Sequence, residues 1–213
     1  MEVVEIPVRA TSADGTDRDD VVELGCNWGV GIGGSLWTSG RLMVDYFSRN
    51  VRARQQLQGA SVLELGSGTG LVGLALACMG PASVVLTDLE SHVAALQANV
   101  ERNSARFSDG TLVSVAALDW NTASADDATA PLDWIVGTDI AYMPEFYAPL
   151  LKTLQLLAGP NTRILVGLGR HDTDMRFFRL LQDAGFSYYK VSDELVSEEF
   201  RGKDFGLFEI QRV

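Results

Sequence analysis

Strands and helices alternate along this chain from residue 61 onward, which predicts an α/β fold: a doubly wound, mostly parallel sheet with helices on both faces, preceded by an N-terminal β-hairpin. Short apolar runs at 61–65, 83–86, 131–137 and 164–168 each lead into a stretch with helical spacing, and a further run lies at 111–116. The first run passes through Gly66, Gly68 and Gly70 straight into the helix-like LVGLALACM, so strand, tight turn and helix follow without a linker. The last two runs, 186–191 and 205–210, are joined by the acidic SDELVSEE without an apolar helix, which predicts an antiparallel edge.

A chain of 213 residues with 46% hydrophobic content can bury a full core, and no Pro/Ser-rich linker divides it. One domain is therefore expected over 1–213, with the hairpin and a glycine-rich segment in 1–38 and the α/β core in 39–213. The net charge of −11 argues against a surface that tracks phosphates, so no nucleic-acid partner is expected. The two cysteines, Cys26 and Cys78, do not make a disulfide framework, and Cys78 falls inside an apolar helix as a core residue. A reducing compartment follows, cytoplasmic or also nuclear, with the chain expected as a monomer. MEVVEIPVRA has no basic region ahead of an apolar one, so no secretory signal is expected. The longest apolar run, 71–79, is about half of the ~20 residues that a membrane span requires, and no membrane association is expected.

Taken in order, residues 3–9 and 21–24 read as the hairpin strands, separated by the polar SADGTDRDD. The glycine-rich stretch 25–34, holding Trp28, reads as a connector. GGSLWTSG then sets Trp37 just ahead of a helix with Ser39 as its N-cap. Leu42, Met43, Tyr46 and Phe47 form one stripe on this helix, which is expected to run on through the basic residues up to 58. Residues 92–102 form a helix on Val93, Leu96 and Val100, with His92 a solvated residue at its start. Since His171 is the chain's other histidine, neither metal nor histidine-based catalysis is expected. TASADDATAP reads as disordered. Pro144 fits the first turn of a helix over 145–157 built on Leu150, Leu151, Leu154 and Leu157, and 172–184 is a helix on Phe177, Phe178, Leu180 and Leu181 ended by Gly185.

Three strand ends carry chemistry. Alternating glycines permit positive φ and let a ligand lie against bare main chain, at the place where open α/β sheets bind ligands. A dinucleotide fingerprint would need glycine where Leu71 stands, and no Gly-Lys-Ser/Thr follows, so nucleotide phosphates are disfavoured. A tight turn without a ligand is the competing reading. Asp88 ends the second strand roughly 20 residues on, where a carboxylate can accept both hydroxyls of a ribose or cap the next helix. Asp119 and Trp120 follow the third strand; the acid can accept from an adenine amine while the indole supplies a flat wall. Together these residues point to a nucleoside cofactor.

With these residues in hand, Glu64-Leu65-Gly66-Ser67-Gly68-Thr69-Gly70 resembles motif I of the class I S-adenosylmethionine (SAM) methyltransferases. From about Leu36 to Val213 the chain resembles the family 16 methyltransferases, which include many protein lysine methyltransferases. The resemblance rests on Leu36-Trp37, VLELGSGTGLVG, LTDLE, Asn99 and Asn103 in ANVERN, LDWN, GTDIAYMPEFYAPLLKTL and RFFRLLQDAGF. It implies a Rossmann-like sheet of seven strands and SAM as the cofactor. It places cofactor contacts at Trp37, Glu64, Gly66, Ser67, Gly68, Gly70, Asp88, Leu89, Asp119, Trp120 and Thr138. It also implies that Asp139 and Tyr142, an Asp-x-x-Tyr signature, face the methyl acceptor as catalytic residues. The hairpin, the 25–34 stretch and the insert at 123–130 match no particular member.

The implied activity is SAM-dependent methylation of a lysine in a protein substrate of chaperone, AAA ATPase or elongation-factor type. Asp139 would bind the lysine ammonium and orient the amine, with Tyr142 beside it; a helix cap ahead of Pro144 is the competing role for Asp139. Two other classes stay open: methyl transfer to histidine, a small molecule or nucleic acid, and a non-catalytic SAM-binding or interaction protein.

Overall fold

The computed structural model describes residues 2–11, 16–26, 38–124, 127 and 131–213. Nine strands and six helices run β1 Glu2–Thr11, β2 Asp17–Cys26, α1 Thr38–Arg49, α2 Val51–Leu57, β3 Ser61–Leu65, α3 Leu71–Ala77, β4 Ser83–Asp88, α4 Glu90–Asn103, β5 Leu112–Ala117, β6 Trp134–Thr138, α5 Tyr147–Leu157, β7 Arg163–Gly169, α6 Met175–Asp183, β8 Phe186–Lys190 and β9 Phe205–Arg212 among these residues. Strands β3 to β9 form one seven-stranded sheet in the order β5-β4-β3-β6-β7-β9-β8. β3 pairs in parallel with β4 and β6, β4 with β5, and β6 with β7, while β9 lies antiparallel between β7 and β8. The expected antiparallel edge is therefore present, with β9 inserted inside β8. The order reverses between β3 and β6, and in such sheets the crevice outside the strand ends at that switch point is the ligand site.

Strand residues alternate between two cores because successive side chains point to opposite faces. Val62, Val84, Val136 and Leu165 face the core shared with α1, α3, α4 and the hairpin. Leu63, Ile135, Ile164 and Val166 face α5 and α6. Helices thus cover both faces, as the alternation predicts.

The β1–β2 hairpin forms a separate two-stranded sheet, paired from Glu2↔Cys26 to Thr11↔Asp17. Its strands are longer than the apolar pattern suggests. Asp17 to Asp20 continue β2 instead of forming the turn, because cations lie alongside: Arg54 reaches Asp17 at 2.6 Å and Arg9 reaches Asp19 at 2.6 Å. The free edge of β2 is met by two side-chain amides of α4. Asn103 accepts from the Glu23 N–H at 2.9 Å and donates to its carbonyl at 2.7 Å; Asn99 accepts from the Gly25 N–H at 2.8 Å and donates to the Thr69 carbonyl at 2.9 Å. The pair acts as a substitute strand, and Asn99 links the hairpin to the glycine turn. Each such buried group left unpaired would cost about 1–3 kcal/mol, which gives the two asparagines of ANVERN a structural reason.

Several helix expectations change: the helix expected over 92–102 runs Glu90–Asn103, and the one expected over 145–157 runs Tyr147–Leu157, behind a separate turn at Pro144–Phe146. The helix expected through residue 58 breaks at Asn50, which adopts extended dihedrals and accepts from the Ala53 N–H to start α2. Ser39 is not an N-cap; it is the second residue of α1, fully inside the protein. The helix expected from 172 begins only at Met175, because Asp174 accepts from the Arg176 N–H as its cap. The hairpin turn at 12–15, residues 27–37 with most of the expected connector and Trp37, and 125–126 and 128–130 of the stretch expected to be disordered lie outside the described residues. Among the described residues no helix is long and apolar enough to cross a membrane.

Candidate active site

The glycine turn after β3 takes the conformation its spacing predicts: Gly66, Gly68 and Gly70 have φ of 61°, 55° and 83°. Side chains with a Cβ rarely adopt this region. The turn is closed by the Gly70 N–H donating to the Ser67 carbonyl at 2.7 Å and clamped to β4 by the Ser67 N–H donating to the Thr87 carbonyl at 2.9 Å. Asp88, at the tip of β4, accepts from the Gly68 N–H at 2.7 Å through Oδ2 and from the Leu89 N–H at 2.8 Å through Oδ1. It does not cap α4, whose N-cap residue is Leu89. A carboxylate is thereby fixed beside bare main chain.

These groups open onto a cavity of about 490 Å³, within the few hundred to about a thousand Å³ that small ligands occupy. Glu64, Gly66, Ser67, Gly68, Asp88, Leu89, Asp119, Trp120, Thr138, Asp139 and Tyr142 all line it. Gly70 stands behind the wall, where a Cβ would meet Leu96 Cδ1 at 2.7 Å. Its part is to turn the chain. Trp120 is half-buried and packs against the core on the α5 side, with its ring edge near Gly66. The Asp119 carboxylate accepts from the Asn121 N–H and side-chain amide at 2.9 Å each, which holds it in place at the cavity. Trp37 lies outside the described residues.

Glu64 is buried, and its Oε2 accepts from the Gly73 N–H at 3.0 Å in the first turn of α3. Burial pushes its carboxyl up to about 8. Because this folded-state value lies above the ordinary 4.5, the stability that neutral Glu64 contributes is fully present below about pH 4.5 and lost as pH rises through about 8. Glu64→Gln keeps a carbonyl oxygen for Gly73 and stays neutral throughout. Thermal unfolding of the cofactor-free protein should therefore lose most of its decline between those pH values in the variant; an unaltered pH profile would mean that Glu64 is ionised already.

At the opposite end of the cavity, β6 ends in Thr138 and the chain turns at Asp139, whose φ of 55° is the one positive value outside glycine among the described residues. Aspartate tolerates this region better than most residues, and such strain is found at functional sites. Its backbone N–H donates to the Gly167 carbonyl at 2.8 Å. Its Oδ1 accepts from the Ser39 hydroxyl at 2.8 Å, while Oδ2 is buried without a hydrogen-bond partner among the described residues. Burial pushes the carboxyl up to about 6, opposed by the Ser39 hydrogen bond and reinforced by the nearby charge of Asp172. The carboxylate does not cap the Pro144–Phe146 turn, so the competing structural role falls. Tyr142, 37% exposed, stands at the mouth with Phe146 and Asp172.

Comparison with known proteins follows this geometry. A family model described as lysine methyltransferase matches residues 16–184. The chain belongs to this lysine methyltransferase family. EEF1A lysine methyltransferase 3 of Xenopus tropicalis is 30% identical over 93% of this chain and 82% of its own length. Protein N-lysine methyltransferase METTL21A of Danio rerio is 31% identical over 85% and 81%. Among solved structures, a TehB-like SAM-dependent methyltransferase from Corynebacterium glutamicum superimposes with a TM-score of 0.60 at 16% identity, covering 84% of this chain and 89% of that one. Magnesium protoporphyrin IX methyltransferase from Synechocystis, with bound SAH, gives 0.57 at 18% identity over 76% and 78%. The fold is that of the SAM-dependent methyltransferases.

Several cavity residues escaped the sequence reading. His92 is not a solvated helix end: it lines the cavity with Nδ1 3.4 Å from the Asp88 carboxylate. The i, i+4 spacing of Asp88 and His92 was a signal for this. Phe146 and Asp172 come from the turn ahead of α5 and the loop after β7, and nothing local marks them; Ser39 does not line the cavity itself but reaches it through its hydrogen bond to Asp139.

Proposed function

We propose that this chain transfers the methyl group of SAM to the ε-amine of a lysine in a protein substrate, binding one SAM per chain. The observation that carries this reading is that one cavity joins the glycine turn and Asp88 to the strained, half-satisfied carboxylate of Asp139. The residues present fit the cofactor. Asp88 would accept the ribose hydroxyls, Asp119 and Trp120 would take the adenine, and Glu64 would meet the ammonium of the amino-acid end, with Gly66, Ser67, Gly68, Leu89 and Thr138 as the remaining wall. When bound, SAM supplies an electrophilic methyl carbon on a sulfonium.

The protein's task is then to position a neutral amine and exclude water. A free lysine, with a pKa of about 10.4, arrives as the ammonium. Asp139 holds that cation through its unpartnered Oδ2 and keeps the nitrogen oriented once a proton has left to solvent. Tyr142 borders the same cation with its ring or hydroxyl. Arginine suits the site less, since its guanidinium resists deprotonation.

The relatives, EEF1A lysine methyltransferase 3 and protein N-lysine methyltransferase METTL21A, support a protein acceptor, and we take an elongation-factor type of substrate as the finer reading. Incubation with methyl-tritiated SAM and a lysate of the source organism, followed by mass spectrometry of the labelled band, should place label on a lysine of a protein. Label on histidine, RNA or a small molecule would refute the reading.

A further inference from the structure

Asp139 owes its pose to two partners, and only one of them is backbone. The Gly167 carbonyl holds its N–H, and the Ser39 hydroxyl holds Oδ1. Ser39 reaches this carboxylate across 100 positions of sequence because the first turn of α1 seats directly on β7. That seat depends on Gly167: a Cβ there would lie 3.1 Å from Ser39 Cβ, 3.3 Å from the Ser39 carbonyl and 3.0 Å from Thr138 Cγ2. Gly40, next in α1, has its own tight neighbour, with Leu71 Cδ2 3.3 Å from where its Cβ would be. A serine at 3% exposure, aimed at a strained carboxylate across a gap kept open by a glycine in mid-strand, is more than a helix anchor.

We infer that Ser39 is a positioning residue for methyl transfer: its hydroxyl fixes the Asp139 carboxylate in one orientation and as the ion, and so presents Oδ2 to the acceptor. The inference rests on the proposed role of Asp139. A hydroxyl can donate to a carboxylate but gains nothing comparable from the protonated acid, so the bond favours the charged form. It works against burial and against Asp172, which faces Asp139 from the loop after β7. Tyr142 shares this end of the cavity, and Glu64, Asp88 and His92 line its cofactor end. Without Ser39, the Asp139 carboxylate keeps no hydrogen-bond donor among the described residues.

The test uses the full chain labelled with ¹³C at aspartate carboxyls, with the Asp139 resonance assigned by its absence in Asp139→Asn. In Ser39→Ala the midpoint of this resonance should move to higher pH by about one unit. Ser39→Cys, a weaker donor of similar shape, should move it less in the same direction, and Ser39→Thr should restore it. Tritium transfer from SAM to protein in a fixed amount of source lysate should show its acidic limb displaced in step, with a loss of about fivefold at pH 6 that approaches tenfold below about pH 5 and shrinks toward alkaline pH. A purely structural serine would lower the rate equally at every pH. An unmoved midpoint in both Ser39→Ala and Ser39→Cys, with Asp139→Asn inactive, overturns the role of Ser39 alone. A fully active Asp139→Asn overturns the role of Asp139 beneath it.

Discussion

Asp139→Asn should abolish methyl transfer, leave SAM affinity within about threefold, and raise the melting temperature. The three outcomes have one cause. Asparagine is among the residues that tolerate positive φ, so the turn at 55° survives the change. It is neutral, so the acceptor end of the cavity loses the charge that holds an ammonium, while Asp88 at the cofactor end is untouched. The stability gain follows from burial. The folded protein holds the Asp139 carboxyl at about 6 against an ordinary 3.8, so its ionisation at neutral pH works against the fold. Each pH unit of that difference corresponds to about 1.4 kcal/mol, giving on the order of 2–3 kcal/mol in all. A charge kept at such a cost, with one oxygen unsatisfied, is the pattern of a site that trades stability for function. The native enzyme should accordingly lose activity as pH falls through about 6, where Asp139 gains its proton. Melting curves and a labelling assay on the same sample check both halves. Full activity in the variant would move catalysis elsewhere, and lost activity with a lowered melting temperature would mean simple damage.

The parts of the molecule that were legible in advance share a short range in sequence. The glycine turn is visible because three positive φ values need glycine, and they are consecutive alternate positions. Asp88 is visible because strand ends recur at a regular interval in βαβ units. Helix and strand identities follow from apolar periodicity, which packing onto a two-faced sheet imposes. What was hidden is long-range. The split between α1 and α2 turns on a single Asn50 cap inside a continuous basic stretch. The acidic start of β2, Asp17 to Asp20, reads as part of the turn by composition until Arg54 and Arg9 are seen beside it. Ser39 reads as a cap because serine before an apolar stripe usually is one, and only the fold shows that its hydroxyl donates to Asp139 instead. Asp139 and Tyr142 were placed by family resemblance; the strain and the unpaired oxygen that explain Asp139 are properties of the fold.

Asp88→Ala should weaken SAM binding by more than tenfold, and by a route that calorimetry and melting together can resolve. The carboxylate has two tasks. In the cofactor-free protein it accepts from the Gly68 N–H at 2.7 Å and the Leu89 N–H at 2.8 Å, so it pins the glycine turn to the end of β4. In the complex its oxygens would also accept the ribose hydroxyls, since a carboxylate oxygen has lone pairs for more than one donor. Alanine removes both, and charge-assisted hydrogen bonds of this kind are worth about 1.5–3 kcal/mol, or roughly ten- to a hundredfold in affinity. Asp88→Asn separates the tasks. Its one carbonyl oxygen still accepts from one of the two N–H groups while its amide nitrogen faces the other, so stability should fall less than in Asp88→Ala, while the ribose loses a charged acceptor and meets an amide donor instead. Affinity should therefore fall in both variants, and melting temperature chiefly in Asp88→Ala. SAM binding of native strength in Asp88→Asn would confine this residue to holding the turn, and the ribose would have to be sought nearer His92, the neighbour that lies 3.4 Å from the same carboxylate.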